Sequence, residues 1–414
     1  MISKRGFRIE PFCMLFLMIS FFHCTPEARH QTGESGSEGF RFRHHFIQQE
    51  LERDAWGQTS MADIDKDGDL DFITGRRNGV IRWYEYRGPD SWHPHQIGER
   101  SPSDVGGLTL DVNGDGWLDM VAGGSWYENP GGSADISWTE HVFDPELSSV
   151  HDIVAADLDG DGLPEVLTMG GDMKGVTHSE TKDLRWYKIP PAPGELWAMK
   201  RIGDSVHSGL AAADIDSDGD IDLVRTDIWL ENKGGGRSWE SHKIVSIPWD
   251  LASQAQVADI NRDGRPDVVL AEGEITGARI AWFEAPADVK NSQWKPHILS
   301  QSDSEPRGPY HSLAVADFDN DGDLDIFTGE MEWIGKAPHR WFIWENISSP
   351  NQDKVEFTER VILDAGLGTH NAVIGDVDGD GDIDIAGKLW RSVKDNGNGG
   401  ANHADFLENL TVNE

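Results

Sequence analysis

The sequence predicts an all-β fold, a seven-bladed β-propeller with four-stranded blades, on three observations. An acidic nine-residue motif occurs seven times, successive copies start 45 to 59 residues apart, and the same order of small, β-rich and aromatic stretches surrounds each copy. The first copy runs from Asp63 to Asp71, and the others start at Asp111, Asp157, Asp214, Asp259, Asp317 and Asp376. Position six is always glycine, from Gly68 to Gly381, which lets the chain turn sharply there.

Each element of a blade has its own signature. Strand A, before the motif, is small and apolar, as in Ile153 to Ala156, Leu210 to Ala213 and Leu313 to Ala316, and suits a position crowded against a central axis. Strand B, after the motif, is β-rich, as in Asp71 to Thr74 and Asp267 to Leu270. Strand C carries aromatics followed by Glu and often Asn, as in Trp83-Tyr84-Glu85, Trp126-Tyr127-Glu128-Asn129 and Phe406-Leu407-Glu408-Asn409, and these aromatics are expected to pack between blades. Strand D pairs an aromatic with a basic residue three positions on, from Trp92 with His95 to Phe357 with Arg360, a regularity that points to a structural role. The last repeat stops after strand C, while Phe42 and His45 fit the strand D pattern near the start of the chain. That segment is expected to pair with the strand around Phe406 and close the ring, which removes exposed sheet edges.

The formal charge of -37 is largely motif inventory, since 30 of the 73 acids sit at motif positions one, three, five, seven and nine. Such a surface argues against nucleic acid, whose affinity comes from cationic contacts to phosphate. Residues 1–24 read as a secretion signal: Lys4, Arg5 and Arg8 precede an apolar run from Phe12 to Phe22, too short to span a membrane as a mature helix. Cys13 lies inside the removed part, so Cys24 would stand alone and no disulfide is expected. The setting resembles a bacterial lipoprotein signal, which implies a lipid anchor at Cys24 and an outer-membrane or cell-surface location, with simple secretion as the alternative. Residues 25–39, rich in Gly, Ser and Glu, are expected to be a flexible tether, and residues 40–414 the propeller, acting as a monomer.

The motif chemistry is that of a hard cation held by six to eight oxygens. The candidate ligands are Asp63, Asp65, Asp67 and Asp71 in the first copy, then Asp111, Asn113, Asp115 and Asp119, then Asp157, Asp159, Asp161 and Glu165. Copies four and five offer Asp214, Asp216, Asp218 and Asp222, and Asp259, Asn261, Asp263 and Asp267. Copies six and seven offer Asp317, Asp319, Asp321 and Asp325, and Asp376, Asp378, Asp380 and Asp384. Calcium is expected over magnesium because a flexible all-protein oxygen cage suits the larger ion, in up to seven structural sites. A helix-loop-helix calcium hand is excluded, since position twelve is never Glu and the flanks read as strands.

All seven motifs fall in A-to-B turns and therefore on one face, with the D-to-A and B-to-C connections on the other. The distance from the motif to strand C is 15 residues in blades two and four but 20 to 30 elsewhere, and extra sequence on one face of a repeat protein builds binding surface. On that face His151, His207, His311 and His370 stand at the entrances to four A strands, while blades one, two and five offer Trp56, Asp104 and Gln254 nearby. Arg76, Arg225, Glu272, Glu274, Glu330, Glu332, Lys388 and Arg391 begin the B-to-C connections and are candidate ligand-binding residues. The histidines admit three readings: satisfied polar strand ends, a ligand or second divalent-metal site completed by Glu272 or Glu330, or acid-base catalysis. No nucleophile elbow, phosphate loop, His-Glu-x-x-His or dinucleotide fingerprint is present in the sequence.

The repeated Asp-x-Asp-x-Asp-Gly-x-x-Asp with an aromatic-Glu-Asn strand after it resembles the FG-GAP or VCBS-repeat propellers, related in architecture to the integrin alpha-chain head, over residues 42–414. The resemblance implies calcium at side chains one, three, five and nine with a backbone carbonyl at position seven. The Trp-Tyr-Glu strands and the histidines also look like the propeller part of aldos-2-ulose dehydratases, which implies a lyase acting on oxidised sugars. Two functions are therefore expected from the sequence: an exported module that binds carbohydrate or protein on the face opposite the loops, or a sugar lyase using the histidines as acid and base.

Overall fold

The computed structural model describes residues 34–412 except 38, 134–135, 171–182, 300–306, 333–337, 349–353 and 395. The expected signal segment, Cys24 and the first part of the expected tether lie outside the described residues.

Seven antiparallel sheets follow one another along the chain. Blade one contains strands A to D at Trp56–Ala62, Asp71–Arg76, Ile81–Tyr86 and Trp92–Gly98. Blade three has Asp152–Ala156, Glu165–Met169, Asp183–Lys188 and Ala198–Asp204. Blade six has Tyr310–Ala316, Asp325–Glu330, Trp341–Asn346 and Phe357–Leu363. Blades two, four and five have the same order, with A strands at Leu108–Leu110, Leu210–Ala213 and Ser253–Ala258. Blade seven takes Asn371–Gly375, Asp384–Lys388 and Ala404–Asn409 from the end of the chain and Phe40–Gln48 from its beginning. Phe42 lies opposite Asn409 and His45 opposite Phe406 in that pairing. The short strand Glu34–Ser37 adds a fifth member at the outer edge, paired to Phe40–Arg43.

Each A strand touches the A strands of its two neighbours, including that of blade seven against blade one, so the innermost strands form a complete ring. Small residues make this close approach possible. The apolar core is divided into seven clusters, each spanning one junction between adjacent blades. Trp83 and Ile73 meet Met120 and Tyr127 between blades one and two, and Phe406 meets Phe72, Tyr84 and Trp92 between blades seven and one. Strand C aromatics thus pack between blades, and each fully buried one contributes about 1.5–3 kcal/mol of transfer free energy.

Polar side chains explain the rest of the repeat. The Asn that ends strand C donates to the neighbouring blade: Asn129 Nδ2 to Ile64 O at 3.1 Å, Asn232 Nδ2 to Leu158 O at 2.9 Å and Asn409 Nδ2 to Phe318 O at 2.9 Å. The strand D base meets the strand C Glu, as in His95 with Glu85 at 2.9 Å and His242 with Glu231 at 2.8 Å, and its ring lies on the strand C Trp. These contacts recur from blade to blade because they hold the blade together.

Candidate functional site

The acidic loops occupy the A-to-B turns on one face. In the first, the Asp63 carboxylate accepts the amides of Asp67 at 3.1 Å and Gly68 at 3.3 Å, which curls the loop around its own acids. The position-six glycines make this possible with φ between 84° and 104°. Side-chain oxygens of Asp63, Asp65 and Asp67, of Asp157, Asp159 and Glu165, and of Asp214, Asp216 and Asp218 converge to within 4.8 Å of one another. An all-oxygen donor set of this kind fits a hard cation such as calcium.

Position nine has a further role that spacing could not reveal. Asp71 accepts the amides of Ile64 and Tyr86, Asp119 those of Val112 and Asn129, and Asp384 those of Val377 and Asn409. These carboxylates tie the loop to strand C. Burial pushes Asp71, Asp119, Asp222 and Asp267 up to about 7 and Asp325 and Asp384 up to about 8.

Blade three departs from the others. Lys188 stands where the other blades carry Glu85, Glu128, Glu231, Glu284, Glu345 and Glu408. Its Nζ lies 2.5 Å from Asp159, 2.6 Å from Asp161 and 3.4 Å from Glu165. An ammonium thus already meets this loop's carboxylates, a poorer fit for an added cation. Arg87, Lys290 and Arg265 also meet loop carboxylates, in blades one, four and five, and Arg87 and Lys290 pair with the strand C glutamates as well, but in blade three alone does the cation replace that glutamate.

On the opposite face the tertiary structure gathers the histidines at the mouth of the axis. The His151 ring is 4.5 Å from His207 and 5.3 Å from His311, and His311 stacks on His370 at 3.9 Å. His207, offset by one residue from the register of the others, still joins the cluster. His311 Nδ1–H donates to the His370 carbonyl at 2.6 Å, and His151 Nδ1–H to Asp152 at 2.8 Å. The His151 Nε2 is buried without a hydrogen-bond partner. A cavity of ≈ 140 Å³ lies beside the cluster, lined by His151, Gly107, Gly209, Gln254 and Asn371 among others.

The carboxylate that meets the histidines is Glu274. Its Oε1 lies 3.4 Å from His311 Nε2 and 3.9 Å from His207 Nε2. Burial raises the Glu274 carboxyl, but the imidazoles of His311, His207 and His151 beside it outweigh that and hold it below its ordinary value. Glu272 and Glu330, expected as ligands, are diverted. Glu272 accepts Asp250 N at 3.1 Å and Arg279 N at 2.8 Å, and Glu330 accepts Gly308 N at 3.0 Å and Arg340 N at 2.9 Å. Both end a B strand, where their carboxylates capture amides of the adjoining loops. Two residues later the chain has left the sheet, so Glu274 and Glu332 reach the axis instead. The paired Glu-x-Glu in blades five and six is the sequence signal for this division.

Arg76 and Arg225 are also braces, donating to the carbonyls of Asp54 and Asp204. Lys388 does reach the mouth: fully buried, it donates to Trp56 O at 2.8 Å. Burial lowers its pKa, and the charges of Glu332 and Asp104 pull it back up. Glu332 is held by the amides of Trp390 and Arg391, and the half-buried Trp390 ring lies 5.2 Å from His370. Asp104 and Trp390 were not among the expected ligand-binding residues, since neither belongs to a repeated pattern.

Comparison with known proteins places this architecture. Residues 63–122, 111–168, 214–270 and 259–328 match the FG-GAP-like repeat, together more than half of the chain. A 179-residue stretch is 29% identical to cartilage acidic protein 1 of Xenopus tropicalis, covering 40% of this chain and 27% of that protein, so the match spans about a quarter of the relative's length. Among solved structures, BBS1N in complex with ARL6DN is similar at a TM-score of 0.51 and 9% identity, over 88% of this chain and 98% of that one, a likeness of fold alone. An Agrocybe aegerita lectin that recognises non-reducing terminal N-acetylglucosamine has a TM-score of 0.47 at 15% identity, over 74% of this chain and 80% of that one. A Bacillus licheniformis rhamnogalacturonan lyase has a TM-score of 0.45 at 12% identity, over 89% and 76% of the two chains. The matched repeats, seen in the structure as successive blades with an acidic loop in each A-to-B turn, show that the chain belongs to the FG-GAP-like repeat family.

Proposed function

We propose that this protein is an exported binding module that recognises carbohydrate at the axial mouth, with calcium in the acidic loops of the opposite face stiffening the ring. The observation that carries the reading is the mouth itself. Imidazoles from blades three, four, six and seven, with Glu274, bring hydrogen-bonding groups together beside the half-buried Trp390 ring. Such a combination of convergent polar groups and one aromatic platform suits a polyhydroxylated ligand. Isothermal titration of the folded chain against neutral and uronate-containing oligosaccharides tests it. Binding should fall at least about tenfold in Trp390→Ala, and absence of binding across the panel would refute the reading.

A sugar lyase is the second reading, favoured by His151. Its Nδ1–H is held by Asp152 while its buried Nε2 has no hydrogen-bond partner, the carboxylate-imidazole arrangement used in proton transfer. Formation of an unsaturated uronate product, lost in His151→Gln with binding retained, separates catalysis from binding.

A further inference from the structure

The axial histidines and Glu274 form more than a hydrogen-bonding surface. We propose that they constitute a binding site for a first-row divalent metal of the zinc class, separate in position and chemistry from the acidic loops. The inference concerns the mouth used in the proposed function but stands on donor geometry alone.

Glu274, His311 and His370 each offer a donor atom within 4.8 Å of the others. Donors held about 2.0–2.2 Å from a tetrahedral ion stand roughly 3.4 Å apart. The His311 Nε2 to Glu274 Oε1 distance is already 3.4 Å, and His207 Nε2 lies 3.9 Å from the same oxygen. Small side-chain movements would therefore complete a three- or four-donor set.

Two further features orient the imidazoles as metal ligands. A ligating imidazole commonly donates its other N–H to a carbonyl or carboxylate, which fixes the tautomer and aims the remaining nitrogen at the ion. His311 does this through the His370 carbonyl, at 2.6 Å, and His151 through Asp152, at 2.8 Å. The His151 ring is 6% exposed, its Nε2 has no hydrogen-bond partner, and it faces His207 and His311.

Charge also favours a dication. Glu274, Asp152, Glu332 and Asp104 surround the mouth, against the ammonium of Lys388 and the Arg77 guanidinium that pairs with Asp104 at 3.6 Å. Imidazole with one carboxylate selects zinc-class ions, whereas the all-oxygen loops select calcium. The two kinds of site should therefore load independently.

The test uses the full chain, stripped with chelator, returned to excess calcium and titrated with zinc chloride in the absence of sugar. One zinc per chain is expected, and replacement by Co²⁺ should give the visible absorption of a site with nitrogen ligands. His311→Ala and Glu274→Gln should each weaken zinc binding by roughly 10- to 100-fold. The exposed His93→Ala should leave it unchanged. Glu274 lies in a loop and its amide is nearly isosteric, so this variant keeps the test valid if His311→Ala fails to fold. No stoichiometric zinc in the folded wild type, or zinc binding insensitive to Glu274→Gln, overturns the proposal. Zinc binding without any sugar binding would support it while refuting the proposed function.

Discussion

Removing divalent cations should lower the melting temperature of this protein by roughly 3–10 °C, a figure that follows from the loop count. Blade three is set aside because Lys188 replaces the strand C glutamate and meets Asp159, Asp161 and Glu165, which leaves six candidate loops. If the loops bind calcium as proposed, with dissociation constants of about 0.1–1 mM, each would gain roughly 0.4–1.4 kcal/mol in 1 mM calcium. Six loops together then contribute about 2–8 kcal/mol. An unfolding entropy of about 2.1 cal/mol/K per residue gives about 0.8 kcal/mol/K for a body of this size, hence the stated shift. Differential scanning calorimetry in excess chelator, and again after calcium is restored, measures it. Equilibrium dialysis should count six calcium ions, and Lys188→Glu should add a seventh by removing the ammonium and restoring the glutamate of the other blades. Equal melting temperatures in chelator and calcium would refute the argument, and seven ions in the wild type would refute its treatment of blade three.

Other perturbations test the ring and its ties. Phe42→Ala, which opens the junction between blades six and seven, should cost about 3–5 kcal/mol and lower the melting temperature by about 4–6 °C, whereas Arg43→Ala, which loses only a half-exposed ion pair, should change it little. Asn129→Ala should cost about 1–3 kcal/mol, because it strands the buried carbonyls of Ile64 and Leu118, and amide hydrogen exchange should show the loss between blades one and two. Burial lowers the pKa of His45, but its bonds to Glu408 and Asp90 outweigh that and raise it, so its contribution is fully present below the ordinary value of 6.5 and is lost as pH rises through the raised one. The stability advantage of wild type over His45→Gln, read from thermal melts across pH, should therefore be largest below about pH 6 and shrink above 6.5.

Much of the architecture was legible because repetition multiplies weak signals. A single small-residue strand or acidic turn would be ambiguous, but seven copies in register fix strand order, the face of each turn and the blade count. The same repetition marked the strand D bases as structural, and His95 on Glu85 and Trp83 shows why. The candidate site was legible only in part. His151, His207, His311 and His370 stood out because they interrupt the repeat, yet the choice of Glu274 over Glu272 depended on where strand B ends and the chain turns over the axis.

By itself the sequence determined the seven repeats, the acidic loops and the segregation of regular from irregular features, since local composition dictates turns, strands and hydrophobic periodicity. Only the tertiary structure decided which irregular residues meet. His151 and His370 are 219 positions apart in the chain, and Lys388 reaches the carbonyl of Trp56 across the junction of its two ends. Such contacts arise from closure of the ring, which is set by the packing of all seven junctions together and by no single stretch of residues.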